Sequence, residues 1–534
     1  MDNRARAVSL SAMRNGENPS LKSAEEARPW WERRWFLAFI VLATMVPLIY
    51  PQVPPLVDLP GHIGRYRVEI DGGHSAFLQR YYGFHWAVMG NLGVDLLVLV
   101  LAPLMGLELA AKLIVVAIPA LTAAGFLWVA RGVHGRLPPT AFFALPFAYS
   151  FPFLFGFVNF ALSAGLAFLA LALWLRLGRS GRTPLRACLF VPISFLIFFC
   201  HAYGLALLGI LCFSAEIART REEGRNWERA VLTAAVRVSV LALPLLVVAL
   251  WPGGSPGSAT TDWFDWDAKW TGITGVLRDR WGPFDVASLE LAGVVFLFAL
   301  VSPKLKLSPK LALAAAMLAL AFVLLPRFIM GSAYADVRLL PFLIAALLLS
   351  IGFRKPIDHR LAGFLAVGGL AFLVVRLAAT TISMTIAAND QQAKLGALQF
   401  IPRGARVVSF FGLPYAEPWS LQRDSHLGGF VIARREGFSN DQWLVNSLNL
   451  LQLRYKDADG FAADPSQIVR PNGTHDGVYR TINEALSEVP RNRFDYIWLI
   501  NPPPFDRRLL QGLRPVWIGP DSTLYRILPA ARAD

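Results

Sequence analysis

Residues 109–130, 157–175 and 311–325 are nearly unbroken apolar runs, and similar runs recur along most of the chain. A helix needs roughly 17–25 such residues to cross a bilayer, and slightly shorter runs manage with flanking anchors. Inside hydrocarbon every backbone N–H and C=O must find its partner within the protein, so a chain with many such runs is confined to a bundle of helices. Composition agrees. Of 534 residues, 55% are hydrophobic and 16% charged, against about 25% charged in soluble domains. These figures exclude an ordinary cytosolic enzyme, a disordered chain and a disulfide-held scaffold. A polytopic α-helical membrane protein is expected.

The net charge of +14 would raise the question of nucleic acid in a soluble protein. Here Arg and Lys sit largely in short loops between apolar runs, which is the positive-inside pattern, and no nucleic-acid partner is expected. Cys188, Cys200 and Cys212 lie in or beside apolar segments without metal-ligand spacing, so neither a disulfide nor a zinc site is implied. Residues 1–34 are a mixed-charge tail, too long and polar for the start of a signal peptide, and no small-residue cleavage site follows. They read as a cytoplasmic tail, poorly ordered until Trp30 and Trp31 reach the interface.

Spans are expected at 35–50, 109–130, 140–155, 157–175, 187–200, 202–217, 230–251, 289–302, 311–325, 339–353 and 361–381. The apolar run 92–106 decides parity. If it does not span, the loops with Arg131/Arg136, Arg176/Arg179/Arg182/Arg186, Arg219/Arg221/Arg225/Arg229, Lys304/Lys306/Lys310 and Arg354/Lys355/Arg360 all face the cytoplasm. It therefore reads as an interfacial or re-entrant helix, with Asn91, Asp95 and Pro103 turned toward protein. Eleven spans follow in residues 35–381, with the N-terminus inside and extracytoplasmic loops at 52–108 and 252–288. Residues 382–534 read as a small extracytoplasmic α/β domain, with strands near 406–411, 494–499 and 523–528 and helices near 390–400, 441–453 and 479–489. An inner-membrane location is expected, and no internal repeat is visible.

The densest polar string follows the first span: Asp58-Leu59-Pro60-Gly61-His62-Ile63-Gly64-Arg65-Tyr66-Arg67-Val68-Glu69. Pro60 suits a first helical turn, and Asp58 then precedes a helix start, whose dipole favours an ionised carboxylate. His62, Arg65, Tyr66 and Glu69 would share one face. A carboxylate beside such cations at a membrane surface could take a proton from a hydroxyl while the cations hold a phosphate; an N-cap aspartate on a snorkelling basic helix explains the string equally well. Arg338 lies immediately before a span, near Tyr334 and Arg327, and reads as a phosphate ligand, an Asp336 partner or an interface anchor. Asn159, His201 and Tyr203 fall at outer span ends and could line the same cavity, although helix packing suits His201 alone. Arg237 and Arg376 read as snorkelling side chains. Asp262, Asp265 and Asp267, interleaved with Trp263 and Trp266, read as a solvated loop hugging the interface.

This layout resembles the GT-C superfamily of integral-membrane glycosyltransferases, which includes the protein O-mannosyltransferases and the aminoarabinose transferase of lipid A. The shared features are a cytoplasmic N-terminus, one span, a long extracytoplasmic loop with an early acidic residue, interfacial helices and many further spans. The strings Asp58-Leu59-Pro60-Gly61-His62 and Asn91-Leu92-Gly93-Val94-Asp95 are similar to those of bacterial GT-C-like membrane proteins of unassigned substrate. The resemblance covers 35–381. It places the family's catalytic carboxylate on Asp58 and the lipid-phosphate-binding Arg of some members on Arg338. Leu59 follows Asp58, so the Asp-Glu pair of the mannosyltransferases is absent and mannose transfer to protein is not implied.

These observations lead to an inverting transferase that moves a sugar from a polyprenyl-phosphate donor to an envelope glycan or lipid. Asp58 is the expected general base, with His62 orienting it or serving as base itself. Arg65, Arg67, Glu69, Asp95, His201, Tyr203, Tyr334 and Arg338 are the expected substrate-binding residues. No cofactor is called for, and a divalent metal stays open. Two other classes fit the sequence: a transporter or flippase for an anionic lipid, and an inactive GT-C-like scaffold subunit. A flippase should carry polar groups through the depth of its bundle, whereas these candidates gather on the outer side.

Overall fold

The computed structural model describes residues 28–250, 260–444, 450–473 and 477–529. Most of the 1–34 tail, and parts of the expected loop 252–288 and of the expected helix 441–453, lie outside those residues.

The chain enters through α1 (Arg34–Ala43), and the polar string then forms α2 (Leu59–Asp71), followed by α3 (Ala76–Tyr81) and strand β1 (Tyr82–Phe84). Next come α4 (Gly93–Met105), α5 (Leu107–His134), the short α6 (Phe151–Phe155), α7 (Val158–Arg179), α8 (Thr183–Cys200), α9 (Ala202–Glu222), α10 (Trp227–Val238) and α11 (Leu243–Leu250). After α12 (Trp266–Thr274) and α13 (Gly282–Val301), a small ribbon of β2 (Leu305–Leu307) and β3 (Ile351–Phe353) brackets α14 (Pro309–Leu324) and α15 (Leu340–Ser350). The series ends in α16 (His359–Lys394). Among the described residues seven helical stretches are long and apolar enough to cross a membrane, and five shorter apolar helices accompany them. The chain is an integral, multi-pass membrane protein.

Three spans depart from simple helices, each for a local reason. Residues 140–155 wind instead as a 3-10 helix, Pro139–Tyr149, followed by α6: Pro146, inside the stretch, removes an amide hydrogen and crowds the preceding turn, while Pro139 and Pro152 stand in first turns, where proline suits a fresh helix start. Residues 230–251 break into α10, a 3-10 turn at Ser239–Ala242 and α11, where Pro244 imposes the same restriction. The last span runs on past Thr381 to Lys394, since its sequence holds no proline. The helix expected at 390–400 is therefore the end of α16 plus a 3-10 turn.

Beyond it lie β4 (Val407–Gly412), α17 (Gly429–Arg435), β5 (Leu451–Leu453), β6 (Ile468–Arg470), β7 (Arg480–Thr481), α18 (Ile482–Glu488), β8 (Tyr496–Ile500), β9 (Leu513–Gly519) and β10 (Ser522–Ile527). Six of these strands form one sheet in the order β7-β6-β4-β8-β10-β9, parallel through β8 and antiparallel beyond. Strands β4 and β8 are buried along their whole length, as apolar strands covered on both faces must be. All three expected strands are present. Instead of a helix at 441–453, the described end of that stretch is β5, which pairs with β1 in the register Tyr82↔Leu453.

The sheet domain is fused to the polar segment that follows α1 rather than tethered beside it. Leu59, Ile63 and Tyr66 of α2 share one buried cluster with Phe411, Leu427, Phe430 and Trp498. Glycines permit this approach: a Cβ on Gly64 would lie 2.9 Å from the carbonyl oxygen of Gly429, and one on Gly61 would lie 2.7 Å from the Trp443 ring.

Candidate active site

A cavity of about 610 Å³ opens between the membrane helices and the sheet domain. Asp58, His62 and Arg65 enter it from the start of α2, Asn159 and His201 from the ends of α7 and α8, and Tyr334 and Arg338 from the loop before α15. The sheet domain supplies Glu417, His426, Trp443, Asp464 and Tyr479.

Asp58 reaches the cavity because it does not cap its helix. Its backbone N–H donates to the Phe155 carbonyl at 2.9 Å, its own carbonyl accepts from His62 at 3.0 Å, and its carboxyl makes no capping bond. Gly156, at φ +112°, allows the close approach, for a Cβ there would lie 2.8 Å from the Asp58 nitrogen. The expectation that the helix dipole keeps this carboxyl ionised near neutral pH needs correction, since burial outweighs the dipole. Burial pushes it up to about 7, against the lowering pull of His426 and Arg338, while Asp464 adds to the rise.

The carboxyl's near neighbour is not His62. His426 Nε2 lies 3.8 Å from Asp58 Oδ1, and its Nδ1 lies 3.1 Å from the Asp441 carbonyl oxygen. Trp443 packs against both histidines, with ring centroids 4.5 Å from His426 and 5.1 Å from His62. Burial and the nearby Arg65 hold His62 well below the ordinary histidine range, so it is neutral.

Arg338 is 5% exposed and has no ion pair among the described residues. The alternative in which it pairs with Asp336 is not realised, because Asp336 instead accepts from Lys269 Nζ at 3.0 Å. The guanidinium donates to Ser332 Oγ and the Ala333 carbonyl, both at 3.0 Å, lies 3.3 Å from His201 Nε2 and sits 4.2 Å over the Phe157 ring. Tyr334 holds φ +59° and packs among Phe151, Phe155 and Phe157, with the Arg327 guanidinium 4.7 Å over its ring. A left-handed tyrosine is sterically costly and persists only where its surroundings enforce it.

Of the remaining expected residues, Arg65 and Asn159 reach the cavity while tied to each other through Asp95, and Asp95, Glu69, Arg67 and Tyr203 lie behind its wall or apart from it. Arg65 pairs with Asp95 at 2.7 Å, and Asp95 also accepts from Asn159 Nδ2 at 3.0 Å, so Asn91, Asp95 and Asn159 brace α2 against α4 and α7. Glu69 is buried behind this group, its carboxyl pushed up to about 8 by burial and the Asp95 charge. Arg67 faces away, bridging Asp71 at 3.2 Å and Glu436 at 2.8 Å. Tyr203 stands behind Arg338, its ring 5.4 Å from the guanidinium. Neither intramembrane arginine snorkels: Arg376 pairs with Asp285 at 2.7 Å and Arg237 with Glu216 at 2.9 Å. Asp265 accepts from Ala268 N–H at 3.0 Å to cap α12, as a loop aspartate would. Among the described residues no three His, Cys, Asp or Glu side chains gather as a metal-ligand set.

His426, Asp464, Glu417, Trp443 and Arg278 also line the cavity, and sequence reasoning missed all five. They are dispersed over nearly two hundred residues without a recurrent spacing, and only the fold brings them together. No protein-family description matches the chain, and no curated protein matches it. Two crystal structures are similar to it: ArnT from Cupriavidus metallidurans bound to undecaprenyl phosphate, and the same protein in the apo state. Each is 12% identical and covers 92% of this chain, with 96% and 97% of the ArnT chain covered and TM-scores of 0.45 and 0.48.

Proposed function

We propose that this chain is an integral-membrane glycosyltransferase that moves a sugar from a polyprenyl-phosphate-linked donor to a glycan or lipid acceptor on the extracytoplasmic side. One observation carries the reading: Arg338, buried and without a carboxylate partner, shares a cavity with Asp58. Burying an unpaired guanidinium costs several kcal/mol, roughly, in any solvent-poor site, and a lipid phosphate is the anion best shaped to offset that cost through paired hydrogen bonds. Arg278 and Arg327 line the same space and add positive charge where a leaving phosphate would develop its own.

In this reading Asp58 accepts the proton of the acceptor hydroxyl as its oxygen attacks the anomeric carbon, and the bond to the donor phosphate breaks on the opposite face. A single base with a good leaving group implies inversion. His62, neutral and packed on Trp443, shapes the pocket, while Arg65, Asp95 and Asn159 hold α2 in place. The N-terminus lies in the cytoplasm, α4 lies along or re-enters the membrane, and the sheet domain faces outward.

The test is sugar transfer by the purified protein from a polyprenyl-phosphate-linked donor; the apo lipid, undecaprenyl phosphate, is a convenient competitor because one of the ArnT crystals contains it. Asp58→Asn should fold like the parent and lose about 10²- to 10⁴-fold in rate, the usual contribution of a general base. Turnover equal to the parent's would reduce the carboxyl to a structural role.

A further inference from the structure

We propose that Asp58 and His426 form one acid–base unit that holds a shared proton, so that the sheet domain supplies half of the base. The inference rests on the reading above and extends it to a residue more than three hundred and fifty positions away in sequence.

Geometry sets the direction of the pair. His426 Nδ1 lies 3.1 Å from the Asp441 carbonyl oxygen. A carbonyl can only accept, so Nδ1 carries a hydrogen. Nε2 is then the nitrogen free to gain or lose a proton, and it faces Asp58 Oδ1 at 3.8 Å. That gap is spanned by one water or closed by a small rotation when substrate binds, as catalytic contacts commonly tighten. The imidazole itself is held. It is 5% exposed and packs on Trp443, and the turn that carries it is pinned on both sides. Arg423 pairs with Asp279 at 2.5 Å, and Asp424 accepts from Lys394 at 2.6 Å and from Asn501 at 3.1 Å.

Other charges face the pair from every side. Asp464 and Arg338 act on Asp58, which in turn acts on Tyr334, and the His426 ring acts on Asp441 and His62. Burial lifts the Asp58 carboxyl to about 7, so its proton is exchangeable near neutrality with a group that faces it.

Transfer starts from the pair with its shared proton released, Asp58 a carboxylate and His426 Nε2 bare; the acceptor O–H bond then breaks and its proton goes to the Asp58 carboxylate. The oxygen's electron pair forms the bond to the anomeric carbon, and the carbon–oxygen bond to the donor phosphate breaks with its electrons on phosphate. The proton then moves to His426 Nε2. This regenerates the carboxylate beside an imidazolium, which releases the proton to solvent.

The experiment uses the full chain in lipid nanodiscs and needs no substrate for its first reading. The protonated-carboxyl infrared band of Asp58, assigned by its loss in Asp58→Asn, is titrated in the parent, in His426→Gln and in His426→Asn. An imidazolium at this distance lowers a carboxyl by about one to three units. The parent midpoint should therefore lie near 7 and rise by at least about one unit in both variants. Steady-state transfer should show the acid limb of kcat/KM moving upward by the same amount. An unmoved midpoint in a folded variant overturns the shared unit. Should the parent transfer sugar and His426→Gln keep its pH profile, the shared unit fails while glycosyl transfer stands. A shifted midpoint in a parent that transfers no sugar upholds the pair and removes the transferase reading.

Discussion

Asp58, the proposed base, is buried in the cavity wall. Its carboxyl, ordinarily ionised above pH 4, is raised to about 7 by burial. A base works only when deprotonated, so kcat/KM should climb through pH 7, where a solvated carboxylate would already be flat. Stability should move the other way. The folded state binds the Asp58 proton more tightly than the unfolded chain does, so its contribution falls as pH rises from the ordinary value through the folded one. Asp58→Asn, which stays neutral, should therefore melt no lower than the parent at pH 8 despite its lost activity, a comparison that differential scanning fluorimetry can make. Arg338 poses the complementary question. With Ser332, Ala333 and His201 as its polar neighbours and no carboxylate among the described residues, Arg338→Lys should keep measurable transfer, because the charge survives without the planar fork. Arg338→Ala should lose about 10²- to 10³-fold, the scale for removing a preorganised group that stabilises developing charge. Equal activity in the two variants would return Arg338 to the role of an anchor.

The elements around these residues explain why they stay in place. Lys269, on α12, is 2% exposed and donates to the Phe322 and Leu325 carbonyls as well as to Asp336, which in turn accepts from the Val337 N–H. This clamp closes the loop that carries Tyr334 and Arg338. Lys269→Met should strand a buried carboxylate and lower stability by about 3–5 kcal/mol, and Lys269→Met combined with Asp336→Asn should recover part of that loss in the same thermal assay. None of this clamp was legible in the sequence, where Lys269 stands among tryptophans and Asp336 invites pairing with Arg338. The helices were legible because apolar runs announce themselves; their interruptions at Pro139, Pro146 and Pro244 were visible as residues but not as 3-10 geometry. Asp58, His62, Arg338 and His201 converge on one cavity because each closely follows or precedes an apolar run. Gly61 and Gly64, residue types that ordinarily weaken a helix, admit Trp443 and Gly429. Such close approaches depend on a partner from the far end of the chain, which local pattern cannot reveal.

At the scale of the whole molecule, orientation in the membrane is the property everything else depends on. In a background lacking Cys188, Cys200 and Cys212, single cysteines at the exposed positions Gln79 and Ser487 should react with an impermeant maleimide added from outside, and those at Ser180 and Arg225 should not. External reaction at Ser180 would invert the molecule and place the cavity on the wrong face. The cavity also has a consequence in time. Its floor is laid by helices that leave the ribosome early, but Glu417, His426, Trp443, Asp464 and Tyr479 emerge only when most of the chain is already in the bilayer. A nascent or truncated product can insert fully and still lack the wall that shelters Asp58. A half-made protein thus has no complete cavity, and whatever chemistry the cavity carries must wait until the last domain has folded.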